Sequence, residues 1–355
     1  MIALSNMNRL QVSTDILLLL LKVYEAKGKE FYYDELFSKD KDVFTKKAIE
    51  KNVYYFAKIL DMPLTNARLK LISQKKLVAK NKTEKLLMNI KVALTSMQKH
   101  PKEFELLPNE FDNLAKLLSK DYEPIRFKST EKQKDGTLFS AKKSQGKRDT
   151  LEEIITIYNQ QNKTKQYELT QLISNFYIDF LYNDIFTLHN DIIGYIGLYA
   201  MLLRDFSVFK YLSFFEIFYK RFEQYKLSYN QAHYYYQTGF PNTDLLSKLL
   251  LDILDDAYES VNSYAKEYSF EQKMNKSDNI EATIRSGDAI FSKADLRKQH
   301  PTVSTITIDR TLKRLKDEGV IQLLGKGRSS KWQRIDEDKR RGGRQLDIFQ
   351  FTEDI

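Results

Sequence analysis

The chain has 355 residues, 42% of them hydrophobic and 30% charged, with a net charge of +9 and no cysteine. That length holds two or three domains of ordinary soluble composition, with enough apolar residues for real cores. The lack of cysteine excludes disulfides, thiolate metal sites and a cysteine nucleophile, and makes a reducing cytoplasm the expected location.

The first residues lack a basic start followed by an apolar run and a small-residue cleavage site, so no signal peptide is expected. Two apolar runs stand out. Ile16–Leu21 ends at Lys22, and Ile192–Leu203 lies between Asp191 and Arg204. Both are shorter than the roughly 20 residues a membrane span requires. The second is predicted to be a buried core helix, and no membrane partner is expected.

The first hundred residues read as helices. Ser13, Thr14 or Asp15 is placed to cap a helix from Ile16. Within Phe44–Leu60, residues Ile49, Tyr54, Phe56, Ala57 and Leu60 fall at roughly helical spacing. Thr65–Leu77, Glu84–Met97 and Phe111–Leu118 follow in the same style. The texture changes at Pro124. Ile125-Arg126-Phe127 and Leu138-Phe139 flank a turn with Asp135-Gly136, which predicts a hairpin, and Ser140–Thr150 reads as a basic loop.

Asp149–Tyr264 returns to helix and is dense in Phe, Tyr and Leu. The rings of Phe206–Tyr236 are expected in the core, not as a platform for bases, because the segment is not notably basic. Gly239-Phe240-Pro241-Asn242 interrupts the helices, and Thr243 or Asp244 caps the next. Tyr268–Asn279 is polar and reads as a linker. Asp336–Arg344 is charged, contains a Gly-Gly pair and reads as a mobile tail.

Charge concentrates near the C-terminus. Ser292–Ile335 carries eleven Lys/Arg against four Asp/Glu, a local +7 out of the total +9, which is the footprint of a nucleic-acid binder. The elements there have a recognisable order. Asn279–Ser286 is a short helix. Ser292 caps Lys293–Gln299, Pro301 ends that stretch, and Ser304 caps Thr305–Glu318, which stops at Gly319. Ile308, Leu312 and Leu315 define its buried face. Strands Val320–Leu324 and Lys331–Ile335 flank the glycine-hinged basic segment 325–330. Three helices and a hairpin describe a winged helix-turn-helix, whose third helix enters the major groove with its N-terminal residues leading. Thr305, Thr307 and Arg310 are the candidates for base edges, Lys313 and Arg314 for phosphates, and Lys326 and Arg328 for the backbone or minor groove. DNA is the expected partner, and protein docking is the alternative use of such a module.

The central segment Asn175–Leu203 reads NFYIDFLYNDIFTLHNDIIGYIGLYAMLL. It resembles the Fic family, whose active members carry a loop HPFxDGNGRxGR between two core helices. Asp184-Ile185-Phe186-Thr187-Leu188-His189-Asn190-Asp191-Ile192-Ile193-Gly194-Tyr195 stands at that place. Tyr211-Leu212-Ser213 and Asn242-Thr243-Asp244-Leu245 resemble later family segments, and the flanking regions resemble long bacterial Fic proteins, so the likeness spans roughly Ile16–Ile335. The fold it implies is mainly α: a Fic-like helical core with a small hairpin flap, plus the winged helix-turn-helix. The implied domains are 1–105 (N-terminal helices), 106–267 (Fic-like core), 276–335 (winged helix) and 336–355 (tail).

The resemblance also implies which chemistry is missing. The histidine that deprotonates a target hydroxyl is replaced by Asp184, a poor base at neutral pH unless desolvated. The metal-holding acid is replaced by Leu188, which has no oxygen ligand. His189 and Asp191 replace the phosphate-cradling glycines, and Asp191 adds a negative charge there. Ile192 and Tyr195 replace the arginines that grip the phosphates, while Phe186, Asn190 and Gly194 remain. Nucleotide transfer is therefore not expected, and no cofactor or metal is expected. Glu50, in Ile49-Glu50, faintly resembles the core of the family's inhibitory motif and reads here as an ordinary exposed helix residue.

Three functions follow. The first is a catalytically inactive Fic fold joined to a DNA-binding winged helix, a regulator. The second is a divergent enzyme moving a nucleotide or phosphate group with Asp184, His189 or Asn190. The third is a pseudoenzyme docking a protein partner, for which the flap Arg126–Phe139 is the candidate edge. A homodimer is compatible with each.

Overall fold

Apolar residues at three- and four-residue spacing, punctuated by good caps, fold Met1–Ser263 as a unit whose described elements are helices, with one isolated β-bridge. The computed structural model describes residues 3–9, 12–129, 146–273, 276–301, 303–325 and 331–335. After a 3-10 turn at Leu4–Arg9 come α1 (Thr14–Lys27), α2 (Glu30–Leu36), α3 (Lys41–Ile59), α4 (Asn66–Gln74), α5 (Lys82–Lys99) and α6 (Pro108–Leu118). Then follow α7 (Lys147–Thr164), α8 (Leu169–Tyr182), α9 (Asn190–Asp205), α10 (Phe214–Lys220), α11 (Phe222–Gln237) and α12 (Asp244–Lys273). Local chemistry sets many of the starts. Thr65, Asn81, Glu168 and Ser213 each accept a hydrogen bond from the backbone N–H three residues on, and Pro108 opens α6.

Helix α9 is the axis of the unit. Every residue from Ile192 to Leu203 is buried, as its uninterrupted apolar run predicts. It lies close to the end of α8, where a Cβ at Gly194 would meet Leu181 Cδ2 at 2.8 Å. The aromatic segment is core as well: Phe206, Phe209, Phe214, Phe215, Phe218, Tyr225 and Tyr236 are buried, while Tyr219, Tyr234 and Tyr235 are exposed.

Two polar knots sit inside. Asn52 of α3 donates to the Tyr199 hydroxyl (3.1 Å), and its Oδ1 accepts from Ser213 Oγ (2.7 Å). The second is Asp179 of α8, fully buried, which accepts from the backbone N–H of Ala3 (3.1 Å) and Leu4 (2.9 Å) and from the Tyr236 hydroxyl (2.9 Å). A buried carboxylate needs such donors to offset its desolvation. On the surface, Lys22 of α1 pairs with Asp255 (2.7 Å) and Glu259 (2.8 Å) of α12.

Residues Tyr264–Ile355 contain the second unit. Its elements are α13 (Lys276–Ser286), β1 (Ile290–Ser292), α14 (Lys293–Gln299), α15 (Thr305–Asp317), β2 (Ile321–Leu324) and β3 (Lys331–Arg334). The antiparallel sheet has the order β1-β3-β2, with Phe291 opposite Trp332 and Trp332 opposite Leu323. Ile280, Ile284, Phe291, Leu296, Ile308, Leu312, Leu315, Val320, Ile321 and Trp332 form its core. Ser292 and Asp295 make a capping box at α14, the Ser304 hydroxyl accepts from Thr307 N at α15, and Gly319 ends α15 in the left-handed region (φ 67°).

Three expectations need correction. The segment read as a linker, Tyr268–Asn279, is largely helical: α12 continues to Lys273 and α13 begins at Lys276. Apolar periodicity fades there, but Ala265, Lys266, Glu267, Glu271 and Gln272 are strong helix formers, and propensity carries the helix on. Phe127, expected to pair within a local hairpin, bridges instead to Phe186, 59 residues away; Leu138 and Phe139 lie outside the described residues. Glu50 is half-buried, not exposed, and burial raises its carboxyl above the usual range. The short β1 was not anticipated, because three residues give no alternation to read.

Candidate functional site

The turn between α8 and α9 is built from its own sequence. Asn190, the first residue of α9, turns its carboxamide back so that Oδ1 accepts from Ile185 N (2.9 Å) and Phe186 N (3.1 Å). Phe186 is 1% exposed and stacks on Phe127 with ring centroids 4.7 Å apart. The backbones run side by side: Lys128 N donates to Ile185 O (2.9 Å), and Thr187 N donates to Arg126 O (2.9 Å). The Phe127 ring is also covered by the Arg148 guanidinium, 5.6 Å from its centroid.

The charged and polar side chains of this turn are mostly taken. Asp184, exposed and at φ 48°, is ion-paired with Lys128. His189, at φ 53° as N-cap of α9, has Nε2 3.1 Å from the Tyr122 hydroxyl. Leu188 is exposed and Asp191 sits exposed in the first turn of α9, where a negative charge suits the helix dipole. No group of three or more His, Cys, Asp or Glu suited to a metal occurs among the described residues.

Ile192 and Tyr195 face the interior, 3% and 8% exposed. The Tyr195 ring lies among Phe56, Tyr177, Phe218 and Tyr225, with centroids 5.7–6.3 Å away. Burial pushes the Tyr195 hydroxyl up to about 12, so it is neutral across the physiological range. The volume beneath the start of α9 is thus filled by rings and aliphatic carbon. Among the described residues it offers no cation, and the backbone N–H groups of Ile185 and Phe186 are taken by Asn190.

The outer face of α15 is different. Arg310 and Lys313 are exposed and have no hydrogen-bond or ion-pair partner among the described residues. Thr305 is exposed at the helix start, and its hydroxyl accepts from Arg297 Nη2 of α14 (2.5 Å). Thr307 is half-buried and belongs to the cap, with Oγ1 2.9 Å from Ser304 Oγ. Arg314 turns to α13, pairing with Glu281 at 2.6 Å. Asp309, an acid on the outer face, is paired with Lys293 at 2.7 Å. Lys326 and Arg328 lie outside the described residues. The sequence reading missed Lys128 and Tyr122 as partners of the turn, and Arg297 and Lys293 as partners of α15. Lys128 and Tyr122 lie more than fifty residues before what they hold, and Arg297 and Lys293 reach α15 from the preceding helix, where no local pattern marks them.

No protein-family model matches the chain, and no curated protein matches it. Solved structures do. A Fic family protein from Desulfovibrio desulfuricans G20 is similar with a TM-score of 0.55 and 12% identity, covering 92% of this chain and 98% of that one. A Fic domain containing signaling protein from Bacteroides thetaiotaomicron VPI-5482 is similar with a TM-score of 0.53 and 14% identity, covering 69% of this chain and 97% of that one. The protein therefore has the fold of Fic-family proteins. No helix among the described residues is long and apolar enough to cross a membrane.

Proposed function

We propose that this protein is a DNA-binding regulator: a Fic fold that does not transfer nucleotides, joined to a C-terminal winged helix-turn-helix, working in a bacterial cytoplasm. The observation that carries the DNA reading is the outer face of α15, where Arg310 and Lys313 stand exposed and uncommitted on a well-capped helix. The order helix, strand, helix, helix and antiparallel hairpin supports the winged-helix reading. In this reading Arg310 meets a base edge and Lys313 a phosphate, with Thr305 and its partner Arg297 at the helix entrance. Lys326 and Arg328, outside the described residues, are assigned on the same reading to the backbone or minor groove. Arg314, a phosphate candidate, pairs with Glu281 and so links α15 to α13.

The loss of catalysis rests on the turn before α9. Phosphate transfer needs preorganised cations and donors where charge develops. Here the candidate arginine positions are the buried Ile192 and Tyr195, and Asn190 occupies the N–H groups of Ile185 and Phe186. Asp184 is ion-paired with Lys128.

The test is a titration of the full-length protein against labelled duplex DNA at several salt concentrations. Log affinity should fall linearly with log salt. Arg310→Ala should cost about 1–3 kcal/mol and relax sequence preference, whereas Lys313→Ala should weaken all sequences alike and lower the salt slope by about one. Failure to bind any duplex at low salt would overturn the DNA reading. The loss of transfer is checked separately: millimolar ATP with Mg²⁺ should neither bind nor label protein. Nucleotide binding abolished by Asn190→Ala would favour the divergent enzyme.

A further inference from the structure

We infer that Ile306 reads the C5-methyl group of a thymine in the major groove, next to the base contacted by Arg310. The inference rests on the DNA reading of α15 and adds what that reading leaves open, the identity of a base.

Ile306 is 64% exposed, although it belongs to the helix whose other large apolar residues, Ile308, Leu312 and Leu315, are buried. It lies two positions from Ile308, a rotation of about 200°, so its side chain cannot share the core stripe. Helix propensity gives no reason for it either, because a β-branched residue on a solvent face is worse than Ala, Lys or Gln.

The surroundings narrow the partner. Arg310 stands one turn further on the same face, with Lys313 beyond it, both exposed. The neighbouring acid, Asp309, is neutralised by Lys293 at 2.7 Å. A face of uncommitted cations around one aliphatic side chain complements a polyanion that also offers an apolar point. In the major groove the thymine methyl is that point. Four residues of helix advance about 6 Å, close to two base steps of about 3.4 Å. The thymine and the base met by Arg310 therefore lie within about two base pairs of each other.

The experiment starts from duplexes selected from a random pool by the full-length protein. In the preferred duplex each thymine is then replaced singly by deoxyuridine, which removes the methyl and keeps every hydrogen-bonding group. At one thymine within two base pairs of the Arg310-dependent base, affinity should fall about fourfold, the worth of one buried methyl. Ile306→Ala should bind the thymine and uracil duplexes alike, with unchanged thermal unfolding, and Ile306→Val should restore part of the difference. A selection without sequence preference, a full set of uracil duplexes bound as tightly as thymine, or an unchanged fourfold loss in Ile306→Ala each overturns the inference while leaving DNA binding intact. The last result assigns the side chain to a protein contact. Absence of binding to any duplex removes the underlying reading and the inference together.

Discussion

Replacing Tyr195 with arginine puts a charge among Phe56, Tyr177, Phe218 and Tyr225. Of the carboxylates, Asp191, one turn earlier on α9, acts on this position but is itself exposed, so Tyr195→Arg should destabilise the protein by about 2 kcal/mol or more, read by urea unfolding. It should not create nucleotide binding. A second residue-scale prediction concerns pH. Glu84, buried at the start of α5, accepts from Arg68 Nε and Nη2 at 2.7 Å each and from Lys80 N at 2.8 Å. The Arg68 guanidinium holds the Glu84 carboxyl down at about 2, against an ordinary value of 4.5. A depressed carboxylate contributes stability that is present above its unfolded value and lost as pH falls toward the folded one. Wild-type stability should therefore decline between pH 4.5 and about 2. Glu84→Gln should be weaker at neutral pH by about 1–2 kcal/mol and flatter through that window. Residues of this kind were only partly legible. That Ile192–Leu203 lies in the core could be read from the chain, because an uninterrupted apolar run announces burial. That Lys128 holds Asp184, or Arg68 holds Glu84, could not, since the partners meet only when the helices pack.

At the scale of elements, α15 shows why capped helices read well. Ser304, the Ile308-Leu312-Leu315 stripe and Gly319 are local signals, and the helix runs Thr305–Asp317 between them. Ser304→Ala should cost about 1 kcal/mol and Gly319→Ala about 1–2 kcal/mol because of its positive φ. Both are measurable as shifts in thermal unfolding, and both should weaken the proposed DNA binding only as far as they loosen the helix. Elements without local signals were missed. β1 gains its identity from pairing with β3, some forty residues later in the chain. The bridge between Phe127 and Phe186 is likewise non-local, and the nearby Asp135-Gly136 turn pointed to a local hairpin. The end of α12 shows the opposite failure: hydrophobic periodicity stopped before the helix did, and backbone propensity was the better guide.

For the molecule as a whole, if α15 reads DNA as proposed, a single recognition helix reaches few base edges, and one small module covers only about 600–1,000 Å². Specific binding therefore favours two copies. The selected site should be a two-fold palindrome with half-sites about 34 Å apart, and sedimentation of the complex should show two protein chains per duplex. A single ungapped half-site with one chain bound would contradict this. The fold class was legible as a whole from helical spacing and the family resemblance, while the wiring that closes the Fic-like unit was not. That wiring sets an order of events in time. The turn at Ala3 and Leu4 is held by Asp179, which lies 175 residues after Leu4. Translation at about 5–20 residues per second separates the two by roughly 10–35 s. Lys22 waits longer still for Asp255, 233 residues away. The leucine-rich α1, with Leu17, Leu18 and Leu21 still exposed in the finished fold, must therefore pass through a long interval on the ribosome without its anchors, and that interval is when a chaperone would find it.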